Sequence, residues 1–144
     1  MSSPVDRVRQ LLLGINQDVI SYQQMELLLK EQNRNLIGRN SQSIYSNNEK
    51  QTKLLLVLQE HADQRTKLLH SFSLQASSDG IKLLAARLPA QISVKMTNQW
   101  LKLEASVGRC KQLNDHNGRL LANQQLLIRK LLNIQDDFYQ PPQR

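Results

Sequence analysis

Residues 90–136 read AQISVKMTNQWLKLEASVGRCKQLNDHNGRLLANQQLLIRKLLNIQD. The stretch has no proline, and apolar side chains recur in it at alternating spacings of four and three residues. Such spacing is typical of a long α-helix with an apolar stripe of coiled-coil type. The sequence therefore predicts a helix over about 90–136, followed by a flexible tail at 138–144 that contains two consecutive prolines.

Two apolar stripes are predicted on this helix, and the main one has amides where a stable coiled coil would have Leu or Ile. The main stripe comprises Met96, Trp100, Leu103, Val107, Cys110, Asn114, Asn117, Leu121, Gln124, Ile128 and Leu131. The second comprises Leu113, Leu120, Leu127 and Ile134. The three amides are expected either to be exposed or to form a surface that binds a partner reversibly. The leucines are too apolar for permanent exposure, so we predict that they pack against another helix, internal or external.

The first segment has the same periodicity over about four heptads. Its stripe comprises Val5, Val8, Leu12, Ile15, Val19, Tyr22, Leu29 and Leu36, with Glu26 and Asn33 in the two remaining positions. A helix is therefore predicted over about 4–37, capped by Ser3 and ended by Gly38 with Asn40.

Two further helices are predicted between the long ones. The polar stretch 38–48 predicts a chain reversal, and apolar residues from Leu54 to Phe72 then predict a helix over about 42–74. Residues 76–80 break this pattern, and a short helix over about 81–88 is expected before Pro89.

The composition favours an all-α fold. The chain has 26 leucines and 29 Asn and Gln residues but only five glycines and four prolines, which is too few turn residues for a β-sandwich or barrel. We predict an elongated antiparallel hairpin or bundle of three long helices with coiled-coil character, forming one domain over 1–137. The oligomeric state is left open, because the stripes can pack within one chain or in a homodimer.

The net charge of +7 belongs mainly to the last part of the chain, since residues 81–144 alone carry a net +6. These basic residues are spread out and have no interleaved aromatics, so a basic helical nucleic-acid binder is a weak alternative and no nucleic acid is expected. No signal peptide is recognised, and the longest aliphatic run, 54–58, is too short to span a bilayer. A soluble protein without membrane insertion is expected.

Catalysis has little support in the sequence, and no enzyme activity, cofactor or metal is predicted. His61, His70 and His116 are far apart, and Asp63 lies on a different helix face from His61. No phosphate-binding loop or nucleophile motif is present. The single cysteine, Cys110, lies on the main stripe and is expected to be buried and unreactive.

The long last helix resembles a known family. Trp100, then residues 110–114 (CKQLN), then residues 117–121 (NGRLL) resemble the signature of FlgN-type flagellar export chaperones. The layout of the earlier helices is similar too, with Lys53-Leu-Leu, Leu58 and Arg65 on the second helix.

The resemblance implies a cytoplasmic, all-helical chaperone that holds the hook–filament junction proteins FlgK and FlgL before type III export. It implies that substrate binds the last helix. With the amides of the main stripe, the predicted binding residues are Leu113, Asn114, Asn117, Leu120, Leu121, Gln124, Leu127, Ile128 and Leu131. It also implies that Tyr139 docks on the export gate protein FlhA, although Gln140 stands where the family usually has glycine. The alternative class is a structural or adaptor coiled coil that dimerises through the last helix.

Overall fold

The computed structural model describes the backbone of residues 3–136, with all side chains in that range except those of residues 125 and 127–136. Four helices follow one another as α1 (Pro4–Gly38), α2 (Ser41–Ser71), α3 (Ser78–Ala86) and α4 (Ala90–Asp136), and the described residues contain no strand. The predicted all-α fold is therefore confirmed. None of the described helices is long and apolar enough to cross a membrane.

Short polar side chains start the first three helices. The side chains of Ser3, Asn40 and Ser77 each accept a hydrogen bond from the backbone N–H three residues later, which satisfies a donor that the helix itself cannot pair. The predicted cap at Ser3 is confirmed. The cap at Ser77 starts α3 three residues earlier than the sequence pattern predicted.

Left-handed residues end α1 and α2. Arg39 has a φ of 54° and Ser73 a φ of 60°, and in both turns the next N–H bonds back into the helix, from Asn40 to the Asn35 carbonyl and from Leu74 to the Leu69 carbonyl. This pattern closes a helix end and directs the chain away from it. The reversal that ends α1 thus depends on Arg39, whereas the sequence had indicated Gly38.

Helix α1 lies between α2 and α4 and packs along both. α2 runs antiparallel to α1, since Arg65 of α2 contacts Asp18 while Asn47, nearer the start of α2, contacts Leu28. α3 reverses the chain again, so that α4 runs parallel to α1. Hydrogen bonds at three successive levels join residues of α1 and α4 that are 88 positions apart.

The core changes character along the bundle. At the end where α1 starts, a large cluster is almost wholly apolar and includes Leu11, Ile15, Leu69, Ile81 and Met96. Towards the other end, a smaller cluster contains four buried residues, Met25, Leu29, Leu58 and Cys110. Beyond it, polar side chains take over the contacts between α1 and α4.

The stripe predicted for α1 faces α4, except that Val5 is 61% exposed. On α4, the heptad positions Met96, Leu103 and Cys110 are buried as predicted, and Asn117, which was expected to be exposed or to bind a partner, is buried too. The other residues of the predicted main stripe differ from the prediction, because Val107, Asn114 and Leu121 are exposed. The residues one position earlier, Ser106, Leu113 and Leu120, are buried or half-buried instead.

Helix α4 is longer than the helix it packs against. With the offset of 88 residues, Gly38 at the end of α1 lies level with residue 126 of α4. α4 continues to Asp136, which places a ten-residue extension, about 15 Å of helix, beyond the end of α1.

Candidate functional site

The C-terminal half of α4 is joined to α1 by side chains that donate hydrogen bonds to the α1 backbone. Three donors of α4, seven residues apart, reach three α1 carbonyls that are also seven residues apart. The pairs are Cys110 Sγ to Tyr22 O at 3.4 Å, Asn117 Nδ2 to Leu29 O at 2.8 Å and Gln124 Nε2 to Leu36 O at 2.5 Å. We call these three bonds the amide ladder, since two of the donors are side-chain amides and the third is the Cys110 thiol. Because the bonds repeat with the heptad, they fix one register between the two parallel helices.

Asn117 is the best-satisfied member of the ladder. Its side chain is 3% exposed. Besides the bond to Leu29, Nδ2 donates to Gln32 Oε1 at 3.0 Å, and Oδ1 accepts from Asn33 Nδ2 at 3.1 Å. A buried amide is stable only when its donors and acceptor are paired. Both groups of the Asn117 amide are paired here, which explains why a polar residue occupies a core position.

Glu26, the other polar residue of the α1 stripe besides Asn33, is hydrogen-bonded as well. Glu26 accepts a hydrogen bond of 2.8 Å from Arg109 Nε and one of 3.4 Å from Lys30 Nζ. The bond from Arg109, with the charges of both basic groups, lowers the pKa of Glu26. Arg109 also donates to Ser106 Oγ at 3.0 Å. The two polar interruptions of the α1 stripe, Glu26 and Asn33, therefore both bond to α4.

Cys110 is buried in the smaller core cluster, as the sequence predicted. Burial raises the pKa of its thiol, and the carboxylate of Glu26 raises it further. A thiol whose pKa is raised stays protonated near neutral pH and is a poor nucleophile. Cys110 therefore acts as a small core residue and as a weak donor to α1.

A triad of Asp18, His61 and Arg65 joins α1 to α2 and, through Trp100, to α4. Asp18 is 1% exposed, and its carboxylate lies 2.6 Å from His61 Nδ1 and 2.7 Å from Arg65 Nη1. The Arg65 guanidinium also lies over the Trp100 ring, 5.5 Å from its centre. Trp100 in turn donates to Ser78 Oγ at 3.1 Å, which ties α3 to α4.

Sequence reasoning missed this triad, because it treated His61 as solitary and considered only Asp63 as its partner. Two signals pointed to it. His61 and Arg65 are four residues apart and so share one face of α2, and that face is otherwise apolar. A charge in such a position needs a buried partner of opposite sign.

The residues predicted to bind a partner fall into three groups. Asn117 is buried, and Leu113, Leu120 and Gln124 are half-buried. Asn114 and Leu121 are exposed, and Leu126, one turn further along α4, is 51% exposed. The side chains of Leu127, Ile128 and Leu131 lie outside the described residues, although the helix that carries them is described. Tyr139 also lies outside the described residues.

Comparison with known families decides which class of helical bundle this is. The family described as FlgN protein matches residues 1–137. The chain belongs to the FlgN family. FlgN proteins are chaperones of flagellar export, not enzymes, and they bind flagellar export substrates. Neither the curated proteins nor the solved structures gave a match to the chain.

The residues that resemble the FlgN signature have visible structural roles in this FlgN-family chain. Trp100 connects α3, α4 and the triad, and Asn117 fixes the register between α1 and α4. Leu121 differs from both, since it is 44% exposed and makes no contribution to the core clusters. Within the signature, Leu121 is therefore the apolar residue most available to a partner.

Replacing Asn117 with alanine is expected to lower the free energy of unfolding by about 1–3 kcal/mol, because the Leu29 carbonyl, Gln32 and Asn33 lose their partner in a buried place. Chemical denaturation followed by circular dichroism measures this loss. Asn114→Ala, the matched change at an exposed amide, should stay within about 0.5 kcal/mol of the unmodified chain. Equal effects of the two changes would contradict the role assigned to Asn117.

Proposed function

We propose that this chain is a cytoplasmic chaperone that binds the hook–filament junction proteins FlgK and FlgL. It holds them before export, prevents their premature association and delivers them to the flagellar type III apparatus. The proposal refines the chaperone role of the FlgN family to two substrates and to one part of α4.

The observation that carries this proposal is the extension of α4 beyond α1. The ten residues 127–136 have no α1 residue at their level, and half of them are Leu or Ile. Just before the extension, Leu121 and Leu126 are 44% and 51% exposed. A helix with unpaired apolar side chains favours association with another amphipathic helix.

The chemistry of the substrates supports the same surface. Junction proteins have terminal segments that pair into helical bundles only after assembly, so in the cytoplasm their apolar faces are free to self-associate. Covering such a face with the leucines of α4 prevents this self-association. The proposed contact surface consists of Asn114, Leu121, Leu126 and the extension.

The remaining predicted residues act indirectly in this proposal. Asn117 and Gln124 bond to α1, and Leu113 and Leu120 are half-buried. They hold α4 in the register that turns Leu121 outward. Any direct contact of Asn117 with a substrate requires α4 to separate from α1, and the amide ladder makes that separation less costly than an apolar core would.

The positive charge of the C-terminal part of the chain and Tyr139 in the tail also have roles in the proposed function. Residues 81–144 carry a net +6, which attracts acidic surfaces of partner proteins and speeds encounter with them. Tyr139, beyond the extension, is proposed to dock on FlhA. Substrate and export gate would then bind neighbouring but separate parts of the same C-terminal region.

Leu121→Lys tests the proposed surface. Burying one leucine contributes about 1.5–3 kcal/mol, so the change is expected to weaken binding of FlgK and FlgL about 10- to 100-fold. Isothermal titration calorimetry with each purified junction protein measures the affinity. Leu101→Lys is the control, because Leu101 is exposed on α4 at 54% but lies about 30 Å along the helix from Leu121.

The same variants distinguish the coiled-coil alternative. If the chain were an adaptor that dimerises through α4, Leu121→Lys would convert a dimer into a monomer in sedimentation experiments. Unchanged binding of both junction proteins by the Leu121→Lys variant would contradict the proposed contact surface.

A further inference from the structure

An apolar row lies on the side of α1 that faces away from α4. Leu13, Ile20 and Leu27 are seven residues apart and are 58%, 57% and 67% exposed. Each precedes by two positions a residue of the stripe that packs on α4, and two positions correspond to about 200° around a helix. The row is therefore not a continuation of the core, and no described side chain covers it.

Two clefts lie between this row and α2. The first, of about 450 Å³, is lined by Leu13, Gly14, Gln17, Lys67 and Leu68 among others. The second, of about 510 Å³, is lined by Leu27, Leu54, Val57, Glu31, Lys50 and Lys53 among others. They follow one another along the α1–α2 hairpin without a shared lining residue, and Ile20 lies on α1 between them. We call the two clefts together with Ile20 the hairpin groove.

Gly14 leaves the first cleft open. It lies in the interior of the 35-residue helix α1, where glycine lowers helix stability relative to alanine. Its backbone has no positive φ, and a Cβ atom placed there would meet no atom within 4 Å. Neither helix conformation nor internal packing therefore requires glycine here. The space that it leaves belongs to the groove.

The α2 edge of the groove is basic. Lys50, Lys53 and Lys67 are exposed, and none of them has a carboxylate within 4 Å among the described side chains. The opposite edge, on α1, is formed largely by uncharged amides such as Gln10, Gln17 and Gln24, and Glu31 is the one acidic residue among those lining the two clefts.

We propose that the hairpin groove binds an amphipathic α-helix of a partner protein, with its apolar face on Leu13, Ile20 and Leu27 and acidic side chains towards α2. An apolar groove with charge on one edge is the usual receptor for such a helix. From residue 10 to residue 31 the groove is about 31 Å long, which accommodates a helix of about 20 residues. This site is separate from the α4 surface and does not depend on the proposed junction-protein function.

Two synthetic helical peptides test the proposal on the full chain. Both have about 20 residues and the same leucine stripe, and they carry either Glu or Lys at the flanking positions. Fluorescence anisotropy should show that the Glu peptide binds at least tenfold more tightly than the Lys peptide, with an affinity that falls as salt increases. Equal binding of the two peptides would overturn the proposed charge complementarity.

Variants then locate the site. Gly14→Leu, which fills the first cleft, and Ile20→Lys, which charges the apolar row, should each weaken Glu-peptide binding at least tenfold. Leu101→Lys and Leu121→Lys on α4 should leave it unchanged, so failure of junction-protein binding and failure of this proposal give different results. Unchanged peptide binding by both groove variants would overturn the assignment.

Charge reversal gives a test at exposed positions that do not belong to the core. The triple variant Lys50→Glu, Lys53→Glu, Lys67→Glu should prefer the Lys peptide over the Glu peptide. If sedimentation instead showed that the unmodified chain self-associates and that Ile20→Lys abolishes this, a second copy would occupy the groove and the proposal would be wrong.

Discussion

Asp18→Ala is expected to lower the free energy of unfolding by about 3 kcal/mol, the lower end of the range for breaking a buried ion pair. The carboxylate is 1% exposed and accepts bonds from both His61 and Arg65. Without it, the Arg65 guanidinium remains largely buried against Trp100 with no counter-charge. The lower end applies because the His61 and Arg65 side chains are 19% and 21% exposed and can gain some hydration. A domain of this size has only about 5–15 kcal/mol of stability in total, so the loss is large.

The measurement is urea denaturation followed by circular dichroism, with Asp63→Ala as the matched control. Asp63 lies on α2 near the triad in sequence, but it is exposed and has no ion pair among the described residues. Its replacement should change stability by less than about 0.5 kcal/mol. A loss below about 1 kcal/mol for Asp18→Ala would mean that the pair is screened like a surface salt bridge.

Truncation after Leu126 is expected to abolish the complexes with FlgK and FlgL while leaving the bundle folded. All three bonds of the amide ladder and both core clusters lie before this point. The removed helical segment lies beyond the end of α1 and carries five Leu or Ile residues. Losing that much apolar contact weakens binding on the order of 1,000-fold or more.

Two controls make the truncation interpretable. Circular dichroism and thermal melting show whether the shortened chain keeps its helical bundle. The full chain with Tyr139→Ala separates the extension from the tail, because this variant should bind FlgK and FlgL normally and lose association with FlhA. A folded truncated chain that still forms both junction-protein complexes would contradict the role of the extension.

The sequence predicted which side of α1 packs in the bundle, but not that α4 covers it. Its apolar periodicity predicted most of the residues that face α4, and its two interruptions, Glu26 and Asn33, lie on the same side. It did not include Leu11, Asp18 and Met25, which are buried as well. The N-terminus of α1 was also predictable from local sequence, because a serine followed by proline and an aspartate is typical of a helix N-cap. These features depend on residues close together in the chain.

The exposed side of α4 could not be predicted in the same way. Positions such as Val107 and Ser106 both neighbour the buried heptad residues, and only the placement of a third helix decides which is covered. Here Ser106 is 1% exposed and Val107 is 38% exposed. The sequence favoured burial of Val107, the more apolar residue, whereas in the packed bundle Ser106 is the buried one. The proposed contact surface therefore includes Leu121, which is exposed, and leaves out Leu113, which is half-buried.

The charged triad shows a second limit. Asp18 is 43 residues from His61 and 47 from Arg65, so no local spacing connects them. The pairing follows from the antiparallel register of α1 and α2, which is set by the turn at Arg39 and by the apolar contacts of both helices. Long-range polar contacts of this kind require the fold to be known first.

Isothermal titration calorimetry with the full chain tests whether the C-terminal helix holds the junction proteins. FlgK and FlgL of the same bacterium are titrated separately into the chaperone. The proposed function predicts a saturable complex with each, lost on truncation after Leu126 and retained with Leu101→Lys. Absence of binding to both proteins by the folded full chain would contradict it.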